Sequence, residues 1–467
     1  MPDAPRPRTL CYQIFVDRFA KADGSTVPPL QAGAAPWLAH AGGTLDGITA
    51  RLDHLAALGV DALYLTPVVR APSNHKYDTE SFDEVDARFG GDAALDRLAA
   101  ALRDRGMGLF LDAVFNHVGE THPWFGAARR DASAPEATFF RFEAHPDRFA
   151  HWRGYGHLPE LALDRPAVRE RLWERDDSVL ARWLGRWATG LRLDCANDLG
   201  LLPCGRIAQR SRALGAPDGV VGELMGYPDA WIAEGRLDGV MNYFFRETVV
   251  GLCTGDVAPA QAAENLARMA AECRPEALLR SWNMLSSHDV PRLATAVPDR
   301  AARALAWALA FSYPGVPLVY YGEEVGMTGG ADPDNRAPML WDVGRWDHGT
   351  HAHLQKLAAL RRDHPALRHG RFRALPQPGC PGLVAYLRVT DDPRQAVVVI
   401  ANPTATPVRA RVFAPYAHLL DALPMRDLLG GAGSRMHGGR LDVTLPAWGV
   451  GFYQPDDTTI PGYTFFR

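Results

Sequence analysis

Short apolar runs recur along the chain and are separated by segments with the apolar spacing of helices. Eight runs have the length and composition of buried strands: LCYQIFV (10–16), DALYLTP (61–67), GLFLDAVF (108–115), GLRLDC (190–195), GVVGEL (219–224), GVMNYF (239–244), SWNMLSS (281–287) and VPLVYYG (316–322). Amphipathic stretches such as AALDRLAAALRDRG and RAARALAWALAFSY lie between them and predict helices packed on a sheet. This alternation predicts an α/β fold, a (β/α)8 barrel of parallel strands.

Two segments depart from that alternation. Residues 117–163 are rich in His, Pro, Trp and Phe without a helical period, and a connection of this length usually forms a functional loop or a small subdomain. Near the C-terminus the runs LVAYLRVT, QAVVVIAN, VRARVFA and GRLDVTLPA predict antiparallel strands. We therefore predict a barrel formed by 1–116 and 164–368, a small inserted domain at 117–163, and a C-terminal antiparallel β-sandwich at 369–467.

The net charge of the chain excludes some classes of binding partner. The 467 residues include 50 Lys and Arg against 54 Asp and Glu, a formal net charge of −4, which gives no basic surface for nucleic acid or an anionic membrane. We find no run long enough to span a bilayer and no apolar signal core at the N-terminus. The six Cys residues are scattered without the spacing of a metal site or a disulfide framework, which predicts reduced thiols. We expect a cytoplasmic protein with a neutral partner.

Three carboxylates stand at the ends of predicted strands: Asp194 in GLRLDCAND, Glu223 in GVVGELMG and Asp289 in SSHD. A parallel barrel gathers the C-terminal ends of its strands at one face, so we expect these side chains to meet around a substrate. A retaining glycosidase needs one ionised carboxylate as nucleophile and one protonated carboxyl as acid. Arg192 lies two residues before Asp194, and we expect its guanidinium to lower the pKa of this predicted nucleophile. Apolar neighbours are expected to raise the pKa of Glu223, the predicted acid.

The ordered motifs DAVFNH (112–117), GLRLDCAND (190–198), GELMG (222–226) and SSHD (286–289) resemble the signature regions of the α-amylase family, glycoside hydrolase family 13. SNHKYDT (73–79) and GGADPDNR (329–336) are most similar to its neopullulanase, cyclomaltodextrinase and maltogenic amylase group. The resemblance implies a (β/α)8 barrel, a small domain inserted after the third strand, and a C-terminal β-sandwich. It also implies a retaining hydrolase that cleaves α-1,4 bonds of malto-oligosaccharides, cyclodextrins or starch fragments.

The resemblance carries roles over to further residues. It implies that Asp289 binds sugar hydroxyls and that His288 donates to the same sugar ring. His117 is implied to hydrogen-bond the cleaved sugar, and Tyr77 to stack beneath its apolar face, whereas Asp112 looks structural.

Other positions leave alternatives open. Asp332 and Arg336 are either a family-like clamp for the neighbouring sugar or a surface ion pair, and Arg192 is grouped with the substrate-binding residues. Trp124 and Trp341 are either sugar platforms or packed core.

The chain also departs from that group. The group usually carries an N-terminal β-domain that builds its dimer, whereas this chain begins at the first barrel strand, so we expect a monomer rather than a dimer. Asp198 stands where relatives usually carry Glu or His, which alters the leaving-group side, and Ala162 replaces a usual Asn. No cofactor is predicted. Calcium is doubtful at Asp23, because Lys21 occupies a ligand position and is expected to make a salt contact instead, whereas Asn116 matches a calcium position of many α-amylases.

We therefore predict a retaining α-glucan hydrolase with the carboxyl groups of Asp194 and Glu223 about 5–5.5 Å apart. One alternative on the same scaffold is an α-glucosidase or glucanotransferase, in which another sugar competes with water. From a different class, the chain is a non-catalytic glucan-binding protein. Loss of a catalytic carboxylate would favour that class, and all three are present.

Overall fold

The computed structural model describes residues 7–31, 33, 35–377 and 379–456, and the parts of the predicted domains beyond these ranges lie outside the described residues. Within them, eight parallel strands close into a barrel in chain order. The strands are β1 (Cys11–Ile14), β2 (Ala62–Leu65), β3 (Gly108–Ala113), β4 (Gly190–Leu193), β5 (Gly219–Leu224), β6 (Gly239–Asn242), β7 (Trp282–Met284) and β8 (Val316–Tyr320). Every residue of these strands is buried, which explains their apolar composition. The predicted barrel is confirmed.

Helices cover the barrel. The α-helices of the described chain are Val16–Phe19, Leu45–Ala50, Leu52–Leu58, Gly91–Asp104, Pro123–Arg130, Pro166–Arg169, Val179–Arg186, Ala196–Leu199, Leu201–Ala213, Tyr243–Thr254, Pro259–Glu272, Pro275–Leu278, Leu293–Ala296, Arg300–Ser312, His348–Asp363 and Pro365–His369. Shorter helical turns are Ala87–Phe89, Pro135–Phe139, Trp152–Gly154, Glu170–Glu174, Glu323–Val325, Asp334–Arg336, Val343–Arg345 and Pro393–Gln395. The side chains of Ser178 and Asp299 cap two of the long helices. Across the described residues, we find no helix that combines the length and apolarity needed to cross a membrane.

Strand register decides which side chains meet at the carboxyl end of the barrel. β3 pairs with β4 so that Asp112 lies opposite Arg192, and β5 pairs with β6 so that Glu223 lies opposite Met241. Because β4 also pairs with β5, three neighbouring strands bring Asp112, Arg192 and Glu223 to one region of the barrel. Asp194 follows β4 two residues after Arg192, on the same face.

The segment between β3 and β4 has its own elements. The helix Pro123–Arg130 was not expected from the apolar spacing, and it begins at a proline in its first turn with the His122 side chain as cap. Strands Phe142–Ala144 and Arg148–Phe149 form a small hairpin. A bridge between His117 and Glu160 ties the two ends of the segment together. The domain boundaries drawn at 116, 163 and 368 stay a prediction.

The C-terminal part forms the predicted antiparallel sandwich. Its strands are β9 (Arg371–Ala374), β10 (Val384–Val389), β11 (Val397–Ala401), β12 (Val408–Phe413), β13 (Pro424–Asp427), β14 (Ser434–His437), β15 (Arg440–Leu445) and β16 (Val450–Pro455), in the spatial order β9-β10-β11-β16-β13-β14-β15-β12. Ile400 and Val412 belong to a core inside this domain. Tyr386, Val399 and Phe452 instead belong to the core that surrounds the barrel. One layer of the sandwich therefore packs against the barrel helices.

Two buried arginines lie near the joint between sandwich and barrel, and one of them, Arg388, bonds across it. Arg388 of β10 donates to the carbonyls of Ser312 and Gly370. Arg361 donates to main-chain carbonyls of Phe311, Gly315, Leu367 and Arg368. Burial lowers the pKa of Arg388 to about 10, so its guanidinium remains a cation at neutral pH. Carbonyl dipoles stabilise both guanidinium groups, and no ion pair with a described carboxylate is seen for either of them.

Candidate functional site

A single guanidinium stands at the centre of the site. Arg192 is fully buried, and its Nη1 donates to the carboxylate of Asp112 at 2.8 and 3.0 Å and to Oδ1 of Asp194 at 2.9 Å. Its Nη2 lies 3.0 Å from Oε1 of Glu223. The structure therefore brings the predicted nucleophile and the predicted acid together on opposite nitrogens of one cation.

Arg192 lowers the pKa of Asp194 as predicted, but it does not set the net direction of the shift. Burial raises the pKa of Asp194 well above its usual range, and the carboxyls of Glu223 and Asp112 add to the rise, so the lowering by Arg192 is outweighed. Burial also raises the pKa of Glu223, as expected, and that of Asp289. Because the carboxyls of Asp194 and Glu223 interact, protonation of one changes the pKa of the other. A proton on Glu223 removes its negative charge and so favours an ionised Asp194.

The turn after β4 fixes the Glu223 side chain. The N–H of Cys195 donates to Oε2 of Glu223 at 2.9 Å. Cys195 has a φ of 49°, a left-handed conformation that side chains rarely adopt, and this bend turns its N–H toward Glu223 directly after Asp194. Beside them, Met225 is 54% exposed and donates its N–H to Asn197 Oδ1 at 3.1 Å. The carboxyl of Glu223 is therefore anchored through one oxygen by the main chain.

Arg336 links two further predicted site residues. Its Nη2 is 3.3 Å from Asp289 Oδ1, and its Nη1 is 3.1 Å from Oδ2 of Asp332. Its Nε donates to the carbonyl of His288 at 2.9 Å. The ion pair between Asp332 and Arg336 is present, and it lies beside Asp289 rather than on a remote surface. The sugar-clamp role stays a prediction.

Tyr77 and His288 stack at the base of the cleft, with ring centroids 5.5 Å apart and an interplanar angle of 4°. The Tyr77 hydroxyl donates to Asp112 Oδ2 at 2.8 Å and lies 2.6 Å from His288 Nε2. Since that hydroxyl has a single hydrogen, the His288 Nε2 carries the hydrogen of their bond, and its Nδ1 accepts from Gln13 Nε2 at 2.7 Å. Burial lowers the pKa of His288 well below its usual value. The one N–H of a neutral His288 is therefore given to the Tyr77 hydroxyl in this structure, and the predicted donation from His288 to a sugar stays a prediction.

The inserted segment lines the other side of the cleft. The ring of His117 lies against that of Trp152 at 5.5 Å, and burial lowers the pKa of His117 to about 4. The Trp152 indole N–H donates to Asp198 Oδ2 at 2.8 Å, and Arg153 Nε is 3.7 Å from the same oxygen. Tyr155 stacks on Trp152 at 5.7 Å and is 53% exposed. Aromatic side chains therefore meet Asp198 where the leaving-group side was predicted to be altered.

Gln13, Trp152 and Cys195 were not singled out as site residues by the sequence. The sequence could have indicated Gln13 as a site residue, because it is a polar residue inside the apolar run of β1. Cys195 had a weaker signal, its place directly after Asp194. Trp152 had none, since it lies in a segment without a regular pattern.

The two tryptophans left open by the sequence pack against protein. Trp341 is buried, and its indole N–H donates to the Phe19 carbonyl at 2.7 Å, which favours the core alternative. Trp124 is half-buried against Phe82 and Phe139.

The positions considered for calcium offer few ligands. Asp23 is exposed and its Oδ1 accepts the N–H of Ser25 at 2.9 Å, while the N–H of Lys21 donates to the Ser25 carbonyl at 3.0 Å. Asn116 is buried with its Nδ2 3.4 Å from His117 Nδ1. Among the described residues, one group of three His, Cys, Asp or Glu side chains could hold a metal ion, and it consists of His117, Asp194 and Cys195. Asp23 belongs to no such group, and Asn116 only precedes His117 in the chain. The doubt about calcium at Asp23 and the match of Asn116 to a calcium position stay predictions.

The arrangement suits chemistry on an uncharged ring. Two interacting carboxyls with raised pKa values supply an acid and a nucleophile. A neutral histidine donor and an aromatic ring stand at the base of the same cleft. Such a set can protonate a leaving oxygen, attack a carbon and hold hydroxyl groups.

Comparison with known proteins gives consistent matches. Residues 13–223 and 207–363 match the family described as "Alpha amylase, catalytic domain". The chain is 32% identical over 406 residues to neopullulanase 2 of Thermoactinomyces vulgaris, across 83% of this chain and 68% of that protein. It is 31% identical over 467 residues to a cyclomaltodextrinase of Geobacillus thermopakistaniensis, across 95% and 76%. The solved cyclic alpha-maltosyl-(1→6)-maltose hydrolase of Arthrobacter globiformis superposes with a TM-score of 0.79 at 29% identity, covering 96% of this chain and 98% of that one.

Proposed function

Since the chain belongs to the α-amylase family and is thus a glycoside hydrolase, we propose that it cleaves α-1,4-glucosidic bonds with retention of configuration, in malto-oligosaccharides, cyclodextrins or starch-derived α-glucans. The names of the relatives, a neopullulanase and a cyclomaltodextrinase, support this class of substrate. The observation that carries the proposal is the guanidinium of Arg192, which contacts Asp112, Asp194 and Glu223 together. A retaining mechanism needs such a fixed pair of carboxyls, one protonated and one ionised.

In this proposal, Glu223 donates a proton to the glycosidic oxygen while Asp194 attacks the anomeric carbon. Glu223 then removes a proton from the water that releases the glycosyl group from Asp194. Asp289 accepts hydrogen bonds from sugar hydroxyls, and His288 donates through Nε2 once the sugar displaces the Tyr77 hydroxyl from that hydrogen. The Nε2 of His117 lacks a hydrogen-bond partner in the described part of the chain, which supports a contact from this buried nitrogen to a sugar oxygen.

The leaving-group sugar is proposed to lie against Trp152 and Tyr155. Trp152 is held by its bond to Asp198, four residues after Asp194, so its ring is fixed near the bond to be cleaved. Large aromatic faces stack well on the apolar side of a glucose ring. This placement makes the inserted segment a determinant of which acceptor or leaving group is used.

The experiment is product analysis by proton NMR on maltotriose, β-cyclodextrin, pullulan, soluble starch and isomaltose. We expect cleavage of at least one α-1,4 substrate with the α-anomer formed first. The β-anomer formed first would refute retention, and products longer than the substrate would favour the glucanotransferase alternative. Glucan binding without cleavage of any substrate would favour the non-catalytic alternative.

We also propose a cytoplasmic monomer. The six cysteines, all within the described residues, are unpaired, which suits a reducing compartment. Cell fractionation tests the location, and light scattering coupled to size exclusion tests the oligomeric state.

A further inference from the structure

Cys195 lies beside two other side chains that can bind a metal ion. Side chains of His117, Asp194 and Cys195 each offer one ligand atom, and these atoms all lie within 4.8 Å of one another. Among the described residues this is the only group of three or more such side chains. A single thiol does not make a metal site, so the hydrogen bonding of His117 and Asp194 decides whether the three side chains can bind an ion.

Each neighbour of Cys195 has a ligand atom without a hydrogen-bond partner among the described residues. His117 is 1% exposed, and its Nε2 has no hydrogen-bond partner among the described residues. This nitrogen can bind a metal in the tautomer whose hydrogen is on Nδ1, the atom that lies 3.4 Å from the Asn116 amide. Arg192 holds Oδ1 of Asp194, and Oδ2 lacks an aligned donor in the same described part. A buried nitrogen and a carboxylate oxygen are therefore available beside a half-buried thiol.

The donor set selects the kind of ligand. Hard cations such as Ca²⁺ take oxygen ligands, whereas one nitrogen, one sulfur and one carboxylate oxygen suit a zinc-class ion. Three protein ligands leave a fourth position for water, as in accessible zinc sites. Metal–ligand distances of about 2.0–2.3 Å put tetrahedral ligand atoms roughly 3.3–3.8 Å apart, so the donors need to approach by only about 1 Å.

We propose that His117, Asp194 and Cys195 form a reversible site for a zinc-class divalent cation, and that the bound ion excludes the glucan. Binding releases the thiol proton of Cys195 to solvent, because a coordinating thiol is deprotonated. Exclusion follows because the ion occupies Asp194, the proposed nucleophile, and His117, a proposed sugar contact. The exclusion rests on the proposed function, whereas the binding does not.

The binding test is a calorimetric titration of the metal-stripped, full-length protein with Zn²⁺, together with visible spectroscopy of the Co²⁺ form. We expect one ion per chain and a thiolate-to-cobalt charge-transfer band. Cys195→Ala should weaken Zn²⁺ binding by about tenfold or more and remove the band, because it deletes the soft ligand. Cys380→Ala is the matched control, since its half-buried thiol lies in the C-terminal part between β9 and β10.

Equal Zn²⁺ affinity in the wild type and Cys195→Ala, or no binding by the wild type, would overturn the site. Cys195→Ser keeps the side-chain size and guards against misfolding of the alanine variant, and it should also lose the cobalt band. Weakened binding in Cys380→Ala to the same extent would likewise contradict the assignment.

The exclusion test measures maltotriose hydrolysis with and without Zn²⁺, each variant relative to its own zinc-free rate. In the wild type and Cys380→Ala, Zn²⁺ should raise KM and leave kcat unchanged, and Cys195→Ala should need about tenfold more Zn²⁺ or more for the same effect. Zinc that binds through Cys195 but leaves these kinetics unchanged would refute exclusion. A wild type that cleaves no glucan would fail the proposed function and leave the binding result standing.

Discussion

Replacement of Asp194 by Asn is expected to inactivate the protein without destabilising it. The side chain keeps its size, and its oxygen can still accept from Arg192 Nη1, a bond of 2.9 Å in the native site. The attacking carboxylate is lost. We therefore expect kcat on maltotriose to fall by about 10⁴-fold or more, equivalent to roughly 5.5 kcal/mol of transition-state stabilisation.

The same change removes an unfavourable charge from the folded state. Burial raises the pKa of Asp194 above its unfolded value, so the folded state loses stability as pH rises from the ordinary aspartate pKa toward the raised folded pKa. Asn carries no such penalty, and Arg192 retains its contacts with Asp112 and Glu223. We expect Asp194→Asn to be about 0.5–2 kcal/mol more stable at neutral pH, a gain common for active-site replacements.

Asp112→Asn is the matched control, because its carboxylate is fully engaged. It accepts from Arg192 with both oxygens, and Oδ2 also accepts from the hydroxyls of Tyr64 and Tyr77 at 2.7 and 2.8 Å. An amide nitrogen at either position faces donors and cannot accept. We expect a loss of about 1–3 kcal/mol in the free energy of unfolding.

The assay is denaturant unfolding of the three proteins between about pH 5 and pH 8, beside initial rates on maltotriose. The stability gap between Asp194→Asn and the wild type should widen as pH rises. A loss of stability in Asp194→Asn as large as that in Asp112→Asn would refute the reasoning, because pairing with Arg192 would then outweigh burial.

Three further outcomes are expected. Glu223→Gln should lower kcat on maltotriose by about 10²–10⁴-fold and far less on maltosyl fluoride, whose leaving group needs no proton, and equal losses on both substrates would contradict its acid role. Trp152→Ala should raise KM for maltotriose more than for an aryl maltoside that lacks the leaving-group glucose, with Trp152→Phe as the control that loses only the bond to Asp198. EDTA should leave the melting temperature of the zinc-free protein unchanged, since a metal bound only to the native state must add stability. A drop restored by calcium and abolished by changing Asp23 would contradict that, and a drop that tracked Asn116 would indicate the second position.

The barrel was predictable because its strands are buried on both faces, which leaves apolar runs in the sequence. The meeting of Asp194, Glu223 and Asp289 followed from the same argument, since each comes at or just after the end of a strand. The raised pKa of Asp194 was not predictable in this way. Its pKa depends on how completely other strands cover it and on carboxyls contributed by Asp112 and Glu223, which the spacing to Arg192 does not reveal.

The contacts of the inserted segment could not be predicted for a different reason. Trp152 belongs to a short turn whose position is set by bridges between distant residues, such as His117 with Glu160, rather than by a repeating pattern. Its bond to Asp198 joins the turn Trp152–Gly154 to the helix Ala196–Leu199, which β4 separates along the chain. Propensity and periodicity act over neighbouring residues, so they do not indicate such a pairing.

The arginines at the joint between barrel and sandwich bear on how the molecule can be divided. Cutting after residue 368 would remove Gly370 and Arg388 and expose the wall of helices that Tyr386, Val399 and Phe452 cover. The catalytic half of the chain is consequently not an independent module. The sandwich serves as the outer wall of the barrel on this side, and heating should dismantle both in one calorimetric transition.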